Sequence, residues 1–153
     1  METGTMRLRE LRLRYVLKRD HDGQPVMTGR RLGSPPESAA FLIPLLQEEP
    51  SEVFVAVFMS TRQRVIAYHE VSRGTIDSTV VHPREVFKAA ILANAAALIL
   101  AHGHPSGDPT PSADDIELTR RLAAAGTLLG IEVLDHLVIG DGRYVSFKEL
   151  GRL

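Results

Sequence analysis

Ala96-Ala97-Leu98-Ile99-Leu100-Ala101-His102-Gly103-His104-Pro105-Ser106-Gly107-Asp108-Pro109-Thr110-Pro111-Ser112-Ala113-Asp114-Asp115 is the stretch on which the fold turns. Its first part, Ala96 to His102, is a short apolar run, as a strand buried on both faces requires. Periodicity alone does not separate such a run from a helix; Asn94, which punctuates the preceding helical segment, favours the strand. Four residues of the next eight are Pro or Gly, so a turn-rich loop follows. Ser112 then opens a helix running from about Ala113 to Ala125, with Gly126 near its end. Strand, loop and helix in immediate succession indicate an α/β protein.

The flanks extend this pattern. Upstream, Pro36 to Gln47 reads as a helix with Phe41, Leu42, Leu45 and Leu46 on one face and Ser34 available as its cap. Val53 to Met59 is almost wholly apolar and reads as a buried strand, with Val65 to Ser72 as its hairpin partner. Thr75 to Val81 reads as a third strand. Pro83 and Glu85 suit the first turn of a helix ending near Asn94. Ile131 to Ile139 and Arg143 to Phe147 are strands around the turn Gly140-Asp141-Gly142. The expected architecture is an α/β sandwich with a mixed sheet.

Composition narrows the functions open to this chain. At 153 residues it has room for about one domain. It contains 18 Lys plus Arg against 19 Asp plus Glu, which argues against a binder driven by bulk positive charge. There is no Cys, so disulfides, thiolate metal sites and cysteine nucleophiles are excluded. No apolar run exceeds seven residues, far short of the roughly 20 of a membrane-spanning helix. The N-terminus lacks the apolar core of a secretory signal, so a cytoplasmic location is the expectation, without a membrane partner.

Charge is uneven. Residues 1–35 hold eight Lys or Arg and four Asp or Glu, so the remaining residues are net acidic. Leu11, Leu13, Tyr15 and Leu17 alternate with Arg12, Arg14, Val16 and Lys18, which reads as a strand with one packed and one solvated face. A nucleic-acid patch is the other reading of these cations. Such a strand at an edge could also pair between two copies of the chain, giving a homo-oligomer. Residues 19–36 read as a connector, and the division expected is 1–35 for strand and connector and 36–153 for the globular domain.

The chemistry concentrates in the opening stretch. His102 and His104, two apart on extended backbone, point to the same side. Asp115 follows at the start of the next helix. Two imidazoles and one carboxylate, with a position left for water, make a set suited to catalytic zinc. The same residues admit a purely structural reading: Ser112 as N-cap and Asp115 at the third helical position approximate a capping box, and an acidic first turn suits the helix dipole. His136, in Leu134-Asp135-His136-Leu137, reads as a packed or hydrogen-bonded strand histidine, while Asp108 and Asp114 could hydrogen-bond to a ligand histidine.

His102-x-His104-Pro105, then Ser112 and Asp115, resembles the JAMM metallopeptidase motif of JAB/MPN domains. The longer run VHPREVFKAA through AALILAHGHPSGDPTPSADDIELTRRL resembles the RadC-like branch of that superfamily, over about Phe41 to Leu150. Gly103 stands where an Asn is expected between the histidines. The resemblance implies a JAB/MPN-like (cytidine-deaminase-like) mixed sheet flanked by helices. It further implies Zn2+ held by His102, His104 and Asp115, hydrolysis of peptide or isopeptide bonds in a protein or peptide substrate, and Ser112 as donor to the oxyanion. The pattern also calls for a general base from an early strand about fifty residues before the histidines; Glu52 fits that position better than Glu70. The other function the resemblance offers is a non-proteolytic protein associated with DNA repair or mobile-element DNA. DNA is the less favoured partner, since residues 1–35 do not read as the helix-hairpin-helix region of fuller RadC proteins.

Overall fold

The structure is a computed structural model that describes residues 7–26, 29–74 and 81–153. Its elements are α1 (Pro35–Leu46), β1 (Val53–Met59), β2 (Val65–Arg73), α2 (Pro83–Leu92), β3 (Ala97–Gly103), α3 (Ala113–Leu129), β4 (Glu132–Gly140) and β5 (Arg143–Ser146). The five strands form one sheet in the order β2-β1-β3-β4-β5. β1 is antiparallel to both β2 and β3, β3 is parallel to β4, and β4 is antiparallel to β5. The one parallel pair is the one joined through α3, because only a long crossover can bring the chain back to the same end of a sheet.

Both faces of the sheet are covered, which explains why β1 and β3 are continuous apolar runs rather than alternating ones. Val53, Val55, Val57 and Met59 face α1, together with Ile99 and Ala101. Phe54, Ala56 and Phe58 face the other way, with Leu98 and Leu100, against Val86, Phe87, Leu118 and Leu122 of α2 and α3. α3 buries Asp115, Leu118, Thr119, Leu122 and Gly126, a single stripe at helical spacing. Two polar residues, Asp115 and Thr119, sit in that stripe and mark where the packing gives way to chemistry.

Four expectations need correction or qualification. Leu11 to Lys18 is not a strand: these residues make no ladder with the sheet, and Leu11, Leu13, Tyr15 and Leu17 are exposed. Alternation supplies two faces but not a neighbouring strand, and a strand exists only through its partner. Lys18 does meet the rest of the protein, its ammonium 5.0 Å from the Tyr68 ring centroid. α3 also runs past Gly126 to Leu129, and Gly130, at φ 71°, provides the left-handed turn. Gly126 serves a different need: a Cβ there would lie 2.4 Å from the Ile131 carbonyl oxygen, so its bareness lets the chain return tightly beneath the helix. The strand expected at Thr75 to Val81 lies, apart from Val81, outside the described residues.

Asn94 does punctuate α2, with φ at 55°. His82 caps the start of that helix, its Nδ1 accepting from the Arg84 amide at 3.1 Å. No helix among the described residues is long and apolar enough to cross a membrane.

Candidate metal centre

His102 is the penultimate residue of β3 and fully buried, while His104 lies just past the strand end with its side chain 15% exposed. Asp115 closes the group from the first turn of α3. The parallel β3–α3–β4 crossover is what brings them together, since it sets the helix N-terminus over the carboxyl end of the strand it follows. This is where α/β sheets usually hold their ligands.

The three side chains converge. His102 Nε2 and His104 Nε2 lie 3.1 Å apart. His102 Nε2 is 3.3 Å from Asp115 Oδ1, and His104 Nε2 is 3.3 Å from Oδ2. One ligand atom from each lies within 4.8 Å of the others. A tetrahedral ion such as zinc, with bonds of about 2.0–2.2 Å, separates its ligand atoms by roughly 3.3–3.5 Å. The spacing therefore fits such an ion, with the carboxylate spanning both histidines.

The donor chemistry fits as well. His104 Nδ1 is 2.8 Å from the backbone oxygen of Asp108. A carbonyl can only accept, so the His104 proton resides on Nδ1 and the Nε2 lone pair faces the group. Asp108 thus acts through its backbone. Its carboxylate instead accepts from the Thr110 amide and hydroxyl, which hold it below the usual carboxylate range. Asp114 is an exposed residue of the first helical turn.

Ser112 and Asp115 form a reciprocal capping box. Ser112 Oγ accepts from the Asp115 amide at 3.0 Å, and Asp115 Oδ2 accepts from the Ser112 amide at 2.8 Å. Burial opposes the charge on Asp115. Hydrogen bonding and attraction from His102 and the bonds from Ser112 outweigh it, so the carboxyl is held well below its ordinary range. The capping and site readings of these residues are compatible. Capping uses a lone pair of Ser112 Oγ, and no hydrogen bond among the described residues uses its proton.

The two candidate bases separate by sheet face. Phe54 pairs with His102 across the β1–β3 ladder and stacks on it, with ring centroids 5.7 Å apart. Half-buried Glu52 lies two residues before Phe54, just ahead of β1, as His104 lies two after His102, just past β3. Glu70 pairs with Val55, which belongs to the α1 face, and its carboxylate binds Arg73 at 2.5 Å. The sheet therefore stands between Glu70 and the group.

A groove of about 860 Å3 opens at the same end of the sheet. Leu46, Glu49 and Ser51 line one side, and His104, Asp108 and Arg143 the other. Glu49 of this groove accepts from Arg73 at 2.7 Å.

His136 is the packed, hydrogen-bonded strand histidine expected, and it is also a neighbour of the histidine pair. It is fully buried on β4, with Nε2 2.8 Å from His102 Nδ1 and Nδ1 2.5 Å from Thr119 Oγ1. Burial pushes it well below the ordinary imidazole range. The signal available in the sequence was the four-residue step from Asp115 to Thr119, which sets both on one helix face.

Comparison with known proteins agrees with this arrangement. The family model of the RadC-like JAB domain matches residues 32–152. The chain is similar to a UPF0758 protein of Symbiobacterium thermophilum, 54% identical over 113 residues, which are 74% of this chain and 48% of that protein. It is similar to one of Methanosarcina acetivorans, 45% identical over 122 residues, covering 80% of this chain and 53% of that protein. A third, from Thioalkalivibrio sulfidiphilus, is 47% identical over 150 residues, covering 98% and 67%. This chain thus spans about half to two thirds of the length of these relatives. A mixed sheet between helix layers, a histidine pair leaving its third strand and a carboxylate on the following helix all accord with that match, and the chain belongs to the RadC-like JAB domain family.

Proposed function

We propose that this domain is a zinc-dependent hydrolase of peptide or isopeptide bonds. The observation that carries this reading is the convergence of His102, His104 and Asp115 on one point, with the Ser112 hydroxyl beside it. His102, His104 and Asp115 would hold the ion. When bound, zinc supplies a polarising charge and lowers the pKa of a coordinated water to about 7.

The remaining roles fall to the chain. Glu52 takes a proton from the attacking water and passes it to the departing amine, so that one carboxylate acts first as base and then as acid. Ser112 donates its uncommitted proton to the carbonyl oxygen as charge builds there, a contribution typically worth about 3 kcal/mol. The groove between the α1–β1 connection and the 103–108 loop receives the polypeptide, with the bond to be cut near His104. Its Glu49 and Arg143 give the two walls opposite charges.

The test is cleavage of a proteome-derived peptide library, and of isopeptide-linked conjugates, by zinc-loaded protein. New amino termini or released amines are expected from the wild type. Glu52→Gln should retain zinc and lose about 10²–10⁴ in rate, because Gln holds a water but accepts no proton. Glu70→Gln should be close to neutral. Zinc-loaded wild type that cleaves neither substrate class, or a Glu52→Gln variant of undiminished rate, would refute the proposal.

A further inference from the structure

Behind the metal group lies a run of buried polar side chains that a sheet core does not need. Thr119 Oγ1 is 2.7 Å from the Asp115 backbone oxygen and 2.5 Å from His136 Nδ1. His136 Nε2 is in turn 2.8 Å from His102 Nδ1. Thr119 and His136 are buried, as is His102, and apolar residues of similar volume would fill the same space without the cost of desolvating polar groups.

Proton counting gives the run a direction. The Asp115 carbonyl has no proton, so the only hydrogen that can lie between it and Thr119 Oγ1 is the hydroxyl's own. That commits the single Thr119 proton to the helix backbone, and Oγ1 must accept from His136. The His136 proton is therefore on Nδ1, leaving Nε2 as an acceptor. His102 must then donate from Nδ1. Its Nε2, which faces His104 and Asp115, is then the ring nitrogen left to meet an ion.

We infer that Thr119 and His136 are positioning residues that lock His102 in the Nδ1–H tautomer, the one form able to offer Nε2 to a metal ion. The lock also ties two ligands into one circuit, since it begins on the backbone of Asp115 and ends on the ring of His102. Packing holds it in place. The His136 ring stacks on Phe147 at 4.9 Å between centroids and meets the edge of Phe54 at 5.4 Å. Its backbone amide is pinned by Asp135 Oδ1 at 2.7 Å. A flipped His136 ring would present carbons to both partners and lose both bonds. His104 gets the same tautomer from the Asp108 carbonyl, so both imidazoles are preset from behind by acceptors.

The inference rests on the metal-site reading above, but its test does not depend on hydrolysis. Long-range nitrogen–proton correlation of the histidine rings in metal-free wild-type protein should show His102 and His136 both protonated at Nδ1. Zinc affinity, measured by chelator competition, should fall about 10–100-fold in Thr119→Val, which keeps the shape and removes the hydroxyl. Thr119→Ser, which restores the hydroxyl, should bind zinc as wild type does. Circular dichroism would confirm that each variant is folded, and the ring spectrum of the wild type needs no variant. His102 unprotonated at Nδ1 in the metal-free protein would overturn the inference. So would a folded Thr119→Val with undiminished affinity, or a Thr119→Ser as weak as Thr119→Val. Absence of peptidase activity would refute the hydrolase proposal and leave these readouts intact.

Discussion

Gly140 ends β4 directly beneath the loop that follows the histidine pair, and replacing it with Ala tests how tightly that loop is held. A Cβ at Gly140 would lie 2.7 Å from the Gly107 carbonyl oxygen and 2.8 Å from its carbonyl carbon. Ordinary contact begins near 3.4 Å, so the loop must rise by about 0.7 Å. These neighbours are backbone and cannot swing aside as a side-chain tip would. Gly107 is itself constrained: its φ is +85°, its amide donates to the His104 oxygen at 2.9 Å, and its own oxygen accepts from Arg143. The next residue, Asp108, carries the oxygen that orients His104 at 2.8 Å. Lifting it by that amount stretches the bond to about 3.5 Å, past the useful limit for a hydrogen bond. Overpacking of this kind costs roughly 1–3 kcal/mol in stability. Loss of the partner behind a metal-binding histidine costs about 10–100-fold in metal affinity. The assay pairs urea denaturation with zinc titration against a chelator. Gly142→Ala is the control. Its φ is +69° but a Cβ there meets nothing within 4 Å, so it carries backbone strain of about 1 kcal/mol and should leave zinc affinity unchanged. Equal zinc affinities for Gly140→Ala and wild type would refute the reasoning.

Other outcomes follow from the same geometry. His104→Ala, assayed by elemental analysis, should lose the roughly one zinc per chain expected of the wild type, while circular dichroism stays unchanged, because the two apolar faces of the sheet are packed independently of the site. Hydrogen bonding from Arg73 holds the Glu49 carboxyl below its ordinary range, so that ion pair stabilises the fold above about pH 4.5 and the contribution is lost as pH falls through the folded-state value. Arg73→Gln should accordingly be less stable than wild type at neutral pH, and the two denaturation curves should merge in acid. Binding to single-stranded, duplex or branched DNA at physiological salt should be weak and without structural preference. Tight, structure-selective binding abolished by replacing Arg12, Arg14 and Lys18 with Gln would instead assign the exposed basic segment to nucleic acid.

Much of the fold was legible because its signals are local. The β-branched and aromatic run from Val53 to Met59 reads as a strand covered on both faces, and Asn94 tips the run from Ala97 to Ala101 the same way. Ser34, Pro83, Ser112 and Asn94 mark helix ends with their own chemistry. The histidine pair and Asp115 were legible from spacing and from resemblance. What escaped depended on contacts between distant residues. The alternation from Leu11 to Lys18 looks like a strand until one asks which edge receives it. Gly126 resembles a helix stop until the approach of the Ile131 oxygen is known. His136 is 34 residues from His102, and nothing in the intervening sequence sets their rings 4.8 Å apart; the parallel register of β3 and β4 does.

The groups that would hold the metal and the group that would use it reach this site by different routes. His102, His104 and Asp115 fall within fourteen consecutive residues of one strand–loop–helix unit, so the pocket assembles with little loop to close. Glu52 arrives just ahead of β1, fifty residues before His102, and reaches this end of the sheet through the β1–β3 pairing. Changes at the end of β1 can therefore abolish chemistry without disturbing the pocket. Among RadC-like domains, zinc content and hydrolytic competence should then vary separately, and a metal-loaded relative lacking a carboxylate at this strand end would be a binding domain built on an enzyme's frame.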